Sequence, residues 1–327
     1  MSAVQPIDLP VDKATEKQLK AGERAIERDE TVTKRTKRRL TSRGATVAAL
    51  IIAVIWTIPT FGLLISSFRE RNDIQTSGWW TIFDNWGFTI DNYVEVLGSG
   101  NSSVTIASSF VNSIAITIPA TLIPLVIAAL AAYAFAWIDF KGKDWLFIGV
   151  FALQIVPIQM ALVPLLSLFS RGIAVGDDWI FAGIPSNGTF SQVWIAHTIF
   201  ALPLAIFLLH NFVSEIPREV IEAARVDGAG HGQIFFRIIL PLTMPALASF
   251  AIFQFLWVWN DLLVALIFAD GGVAPITKLL AEITGSRGQD WYLLTAGAFV
   301  AIIVPLIVFF ALQRFFVRGL LAGSTKG

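Results

Sequence analysis

The chain has 327 residues, 55% of them hydrophobic and only 15% charged, with a formal net charge of zero and a mean hydropathy of +0.68. Globular domains average about 45–50% apolar and about 25% charged residues, so this composition points to an integral membrane protein and away from a soluble domain. With no cysteine and three histidines, disulfides, thiolate metal sites and a cysteine nucleophile are excluded, and a histidine-rich metal site is not expected.

Residues 1–45 form a polar leader. Asp12 to Glu30 mixes lysine, glutamate and arginine at spacings that suit a solvated helix. Lys34, Arg35, Lys37, Arg38, Arg39 and Arg43 then crowd against the first apolar run. Such a cluster is either a nucleic-acid patch or a positive-inside topology anchor, and its place at the start of an apolar run suits the anchor. The leader is too long and too acidic at its start for a signal-peptide n-region, and no A-x-A-type cleavage site follows, so it is expected to be retained.

Six apolar runs follow, each long enough for the roughly 20 helical residues that a bilayer core requires: Thr46–Phe68, Val104–Trp137, Trp145–Phe169, Ser191–Phe212, Met244–Ala269 and Trp291–Val317. Pro59, Pro119, Pro124, Pro157, Pro164, Pro203 and Pro305 lie within them and predict kinked helices, which bundles tolerate because neighbours re-satisfy the freed carbonyls. With the N-terminus inside, 19 of the 24 lysines and arginines fall on the inner side, so both termini are expected to be cytoplasmic. The outer loops are rich in tryptophan, glycine and aspartate. Trp79-Trp80 and Trp86 suit either an interfacial belt or an external partner, and Asp270-Gly271-Gly272 opens a connection of about 20 residues, a length often functional. No internal repeat is visible.

The stretch from Pro217 to Pro241, PREVIEAARVDGAGHGQIFFRIILP, is polar yet lies between apolar runs, on the inner side by the charge count. Ser214 and Pro217 suit a helix start, and Glu219 and Glu222 complement its dipole. Ala223 and Ala224 allow another surface to approach closely, and Gly228 suits the helix end. A second short helix is expected to run to Leu240-Pro241. The composite is a helix–turn–helix at the membrane face, serving either as a docking element or as an ordinary loop that caps its own bundle. Gly228-x-Gly230-x-Gly232 lacks the strand and the terminal Gly-Lys-Ser/Thr of a phosphate loop, so any ATP must be bound by another chain.

Glu222-Ala223-Ala224, then Gly228, then Ile238-x-Leu240-Pro241 resembles the signature of permease subunits of binding-protein-dependent ABC importers. Asp227-Gly228-Ala229 and Phe236 resemble the sugar-importing branch. So do Phe88-Thr89-x-Asp91-Asn92-Tyr93, Asn112-Ser113, Ala131 to Phe135, Phe140-Lys141-Gly142 and Trp259-Asn260-Asp261. The tail from Gln313 to Gly327 is similar to that of MalG-type subunits. The resemblance covers residues 45–327 and leaves the leader outside it.

The resemblance implies an all-α membrane protein with the six-helix type I importer (MetI-like) fold. It divides into a leader (1–45), a permease domain (46–317) carrying the coupling stretch 217–241, and a tail (318–327). It further implies a bacterial plasma-membrane location and a MalF-like second permease. Two copies of a cytoplasmic ATPase, holding ATP and magnesium, and an extracytoplasmic sugar-binding protein complete the assembly; this chain itself is no enzyme and carries no cofactor. Glu219, Glu222, Ala223, Ala224, Asp227, Gly228 and Ala229 would dock on the ATPase, and Ala322, Gly323, Ser324 and Lys326 would reach it from the tail. Gly271, Gly272 and Val273 would face the binding protein. An α-glucoside such as maltose or trehalose is the expected cargo, with another solute class as the alternative.

Polar residues inside apolar runs face the bundle interior or an aqueous path. Gln154, Gln159, Gln254 and Asn260 are therefore candidates for the translocation path or, equally, for interhelical hydrogen bonds. Trp257 and Trp259 suit sugar stacking or aromatic packing. A gradient-driven secondary transporter titrating on His197 and Asp261 is the rival reading, and a membrane scaffold a third.

Overall fold

The computed structural model describes residues 43–84, 86–101, 103–184, 188–283 and 290–322, with backbone alone at 43 and 313–322. It divides into two compact units, Met1–Leu63 and Leu64–Gly327. In the first, the described chain is helical, as part of α1 (Arg43–Ser67), and residues 46–61 are exposed although almost wholly apolar. Such a surface is stable facing lipid, not water.

The second unit continues with α2 (Arg71–Thr76), a 3₁₀ turn at Trp79–Phe83 and α3 (Asp91–Gly98). Then come α4 (Ile106–Trp137), α5 (Lys143–Ala152) extended by a 3₁₀ turn to Ile155, and α6 (Ile158–Arg171). A hairpin of β1 (Ile173–Val175) and β2 (Asp178–Phe181) precedes α7 (Ser191–Ser214) and α8 (Arg218–Val226). The chain closes with α9 (His231–Trp259), α10 (Leu263–Phe268), α11 (Ile276–Ile283) and α12 (Trp291–Ala322). Among the described residues α1, α4, α7, α9 and α12 are each long and apolar enough to cross a bilayer, and α5–α6, bent by 106°, passes the same test as a pair, a sixth if the two count as one broken span.

The six runs are therefore present, with four differences from expectation. The third is broken, not merely kinked, at Val156-Pro157: proline has no N–H to continue the ladder and disfavours helix at the residue before it. The helix after Gly230 is not a separate short element, for it runs without interruption into the fifth span. It passes Pro241 through a π turn at Phe235–Ile239, which absorbs the missing N–H where an α-turn would clash. The span then ends at Trp259, and Leu263–Phe268 is a distinct helix. The connection before the sixth span also contains α11, whose Ile276 and Leu279 are fully buried.

α4 and α7 form the central pair. Ala120, Ala128 and Ala132 on one and Ala196, Ala201 and Ala205 on the other are buried, and such small residues let membrane helices approach where no hydrophobic force drives them together. Trp194 Nε1 donates to the Ala115 carbonyl (3.0 Å) across this pair.

The segment after α1 is built by its polar residues. Asn92 on α3 is buried and donates from Nδ2 to the carbonyls of Ser67 (3.0 Å) and Arg69 (2.7 Å), closing the end of α1. The Tyr93 hydroxyl lies 2.7 Å from Ser67 Oγ, and the buried Arg69 guanidinium donates to Gly78 O (2.9 Å), Ser77 Oγ (2.7 Å) and Thr81 Oγ1 (2.9 Å). Asn92→Ala leaves two carbonyls without their donor, at a cost of about 1–3 kcal/mol. The purified protein should lose several degrees of thermal midpoint in detergent, and an unchanged midpoint would show that Asn92 does not lock this corner.

Candidate functional site

The coupling stretch begins where α7 ends. Ser214 is the last residue of α7, 3.3 Å from His210 Nε2, and is not the cap of α8. That place is taken by Pro217, whose extended backbone (ψ 136°) reverses the chain. α8 then turns one residue inward: Ile221 is 1% exposed and sits in a core with Tyr133, Phe135, Leu209, Val213, Ile234 and Ile239.

The end of α8 is closed by its own backbone. Gly228 N–H donates to Arg225 O (3.0 Å) and Ala229 N–H to Ala224 O (2.9 Å), a Schellman closure with Gly228 at φ +81°. That φ is why glycine stands here, since an L-residue pays roughly 1–2 kcal/mol in this region. A β-carbon at Gly228 would meet nothing within 4 Å, so the requirement is conformational and not steric.

With Ile221 inward, Glu219, Glu222, Ala223 and Val226 share the outward face at helical spacing, and all four are exposed. Asp227 and Gly228 are exposed beside them, while Ala224 and Ala229 are half-buried against the core. Val226, 87% exposed at the tip, was missed by sequence reasoning. Its signal was available, three residues beyond Ala223 and four beyond Glu222. Phe236 is also exposed. This surface, acidic at one end and apolar at the other, is held by cross-links to the spans. The Tyr133 hydroxyl lies 2.8 Å from His231 Nδ1, Arg225 donates to Trp137 O (3.3 Å), and Trp137 Nε1 donates to Val213 O (3.3 Å).

Asn112 Nδ2 donates to the carbonyls of Gly272 (2.8 Å) and Ala274 (3.1 Å), and Ile276 N–H donates to Ser113 Oγ (2.9 Å). The buried Lys278 ammonium bonds Ala269 O (3.1 Å) and the Asp270 carboxylate. These contacts hold the turn at Gly271–Val273 in place. Gly271 and Gly272 are exposed, but Val273 is buried beside Phe268 and Ala269, so its side chain is no part of any surface the turn offers.

The candidate path residues separate. Gln154 lines a cavity of about 390 Å³ at the break between α5 and α6, together with Pro157, Ala161, Phe200, Pro203 and Trp257. Gln159 is exposed and does not line it. Gln254 is buried and donates to Ala120 O (3.2 Å), an interhelical bond, and Asn260 Nδ2 bonds Leu256 O (2.7 Å) within its own helix end. Trp259 is buried and donates to Ala301 O on α12 (3.0 Å), which makes it a packing residue.

Asp261 caps α10, accepting from Val264 N–H (3.4 Å) and Ala265 N–H (3.0 Å). Burial pushes its carboxyl pKa up and these backbone donors pull it back down. His197 Nε2 lies 3.7 Å from the same carboxylate, at 1% exposure. Of the tail, Ala322 ends α12, and Gly323, Ser324 and Lys326 lie outside the described residues, as does residues 1–42 of the leader. Among the described residues no cluster of three or more histidine or acidic side chains is placed to hold a metal ion.

Residues 124–321 match the family described as binding-protein-dependent transport system inner membrane component, and the chain belongs to that family. It is 53% identical over 287 residues to the osmoprotective compounds uptake permease protein GgtD of Synechocystis sp., covering 86% of this chain and 91% of that one. It is 40% identical to the alpha-glucoside transport system permease protein AglG of Rhizobium meliloti, covering 86% and 96%. A crystal structure of a bacterial ABC transporter that imports the acidic polysaccharide alginate superposes with a TM-score of 0.63 over 86% of this chain and 98% of that one; at 18% identity this shows the shared fold. The resemblance carried by the coupling stretch and the type I importer fold are thus both borne out. The family places the chain in the inner membrane as a transport subunit, and the gradient-driven and scaffold readings fall away.

Gly228→Val should open the end of α8 while Gly228→Asn, which tolerates positive φ, should not. Hydrogen exchange at residues 224–229 is expected to rise roughly 5–30-fold for valine, matching a loss of about 1–2 kcal/mol, and little for asparagine. Equal exchange in both variants would refute the conformational account.

Proposed function

We propose that this chain is one of the two permease subunits of an ATP-driven importer of α-glucosidic solutes, paired with a MalF-like permease. Two copies of a cytoplasmic ATPase, carrying ATP and magnesium, dock on the inner face, and an extracytoplasmic sugar-binding protein delivers the cargo. Both termini are cytoplasmic in this reading, which the lysine and arginine bias supports.

The observation that carries this reading is the outward face of α8. A short helix with its buried residue locked in the membrane core and its exposed residues at Glu219, Glu222, Ala223 and Val226 can transmit motion as a rigid lever. A partner gripping that face moves α4, α7 and α9 with it, because Ile221 and Ile234 belong to one core with them. Closing and opening of the ATPase pair then rocks the two permeases between inward- and outward-facing states.

The cargo follows from where the relatives overlap. One is named for osmoprotective compounds and another for alpha-glucosides. Trehalose satisfies both descriptions, being an α-linked glucose disaccharide and a protective solute. It heads the candidates, with maltose second and a non-sugar osmoprotectant the alternative.

Purification from the native host with mild detergent should bring down a second permease and an ATPase, and proteoliposomes of that complex with the binding protein should accumulate labelled trehalose only with ATP. Glu222→Lys and Val226→Asp should leave the chain in the membrane and folded but cut uptake at least tenfold, the factor lost with about 1.4 kcal/mol of docking energy. Full uptake in both variants would sink the lever. On the outer side, Asn112→Ala should free the turn at Gly271–Val273 and lower the stimulation of ATP hydrolysis by the binding protein several-fold. Stimulation equal to that of the parent would remove the turn from that contact.

A further inference from the structure

We infer that the cavity at the break between α5 and α6 is a subsite on this chain for one pyranose ring of the transported solute, with Trp257 and Gln154 as its specificity-determining residues. The inference rests on the sugar-importer reading and adds a place and a chemistry to it.

The break itself is the first argument. Pro157 lacks an N–H, and the bend of 106° directs α6 away from α5. At the break Val156 N–H turns back to Leu153 O (3.2 Å) and Met160 N–H to Pro157 O (3.0 Å), and the helix-end groups beyond these have no continuing ladder to join. In hydrocarbon each such group costs several kcal/mol, so non-helical backbone at membrane depth persists only where protein covers it or where it lines a water-filled cavity. Leu153, Ile155 and Val156 at the break are exposed, and a cavity of about 390 Å³ opens on them. An aqueous, solute-accessible space satisfies both facts. An acyl chain would fill the volume and leave the backbone groups unpaired.

Chemistry narrows the occupant. The volume lies within the roughly 300–1,000 Å³ of small-ligand sites, which are mostly apolar with a few polar groups that fix orientation. Here Ala161, Phe200, Pro203 and Trp257 are among the apolar and aromatic lining residues, and Gln154 is the one lining residue with an amide side chain. Gln154 offers one acceptor and two donors. A pyranose matches that mixture, since its C–H face is apolar and its hydroxyls, each donor and acceptor, project at the rim. Among the described residues no lysine, arginine or acidic side chain lines the cavity, so it suits an uncharged solute. Trp257 is fixed from behind: His197, fully buried, stands perpendicular to it at 88° with centroids 5.5 Å apart. A wall held in this way keeps its shape as the solute passes.

The test uses the assembled importer in proteoliposomes with saturating binding protein, reading labelled trehalose accumulated per ATP hydrolysed. Gln154→Ala and Trp257→Leu should each lower that ratio, and the double variant should lower it about tenfold, while hydrolysis stimulated by the binding protein stays within twofold of the parent. Trp257→Phe, which keeps an aromatic wall, should recover most of the ratio and show that the fold is intact. An unchanged ratio in the double variant overturns the subsite, as does a lipid retained at the cavity in native mass spectrometry of the parent and lost in Trp257→Leu. If the parent complex moves no sugar at all, it is the importer assignment that fails, and the two failures are told apart by that control.

Discussion

The placement of Ile221 in the core of the bundle is the contact on which the rest depends. α8 has only nine residues, four of them charged, and a helix that short is marginal in water without tertiary support. One fully buried isoleucine, together with the Schellman closure at Gly228, supplies that support and fixes which residues face outward. The same burial joins the helix mechanically to the spans, because Ile221 packs among residues of α4, α7 and α9 at once. In the proposed coupling, the exposed face would be what a partner grips, and Ile221 the point through which the helix carries the spans with it.

The prolines show how a membrane helix bundle spends its irregularities. Pro119, Pro124, Pro203, Pro245 and Pro305 all lie inside continuous helices. Two others change the path of the chain. At Pro241 a π turn accommodates the missing donor and keeps the helix whole, so that His231 to Trp259 forms one rod from the coupling stretch to the outer end. At Pro157 nothing compensates and the span breaks by 106°. The two outcomes differ in kind: a continuous rod at one proline, and at the other a break with a cavity beside it.

Much of this was legible in the sequence because the signals were local. Runs of about 20 apolar residues found all six spans, and the coupling motif located α8 to within a residue or two. What escaped had a non-local cause. Whether Pro241 ends a helix depends on whether neighbouring turns widen, and whether Trp257 or Trp259 is available depends on what packs against it: Trp259 spends its N–H on Ala301, some 42 positions away. Val273 sits in a glycine-rich turn that reads as surface, yet the apolar pocket beside Phe268 takes its side chain. Gln154 and Gln254 are indistinguishable as letters, and only the bend in the third span separates the one that lines a cavity from the one that bonds a neighbouring helix.

The short motifs outside the coupling stretch turn out to share one physical task. Asn92 ties off the end of α1, Asn112 and Ser113 fasten the turn before α11, Tyr133 meets His231, and Asp261 caps α10. Each is a polar side chain satisfying backbone or ring groups at a place where a helix stops. In a bilayer these corners carry more weight than in water, since a freed carbonyl has no solvent to turn to. Interior packing in this chain relies on alanines that many sequences supply, whereas each corner needs one particular donor or acceptor at one position. That asymmetry explains why recognisable residues collect at helix ends while the spans between them read as generic apolar sequence.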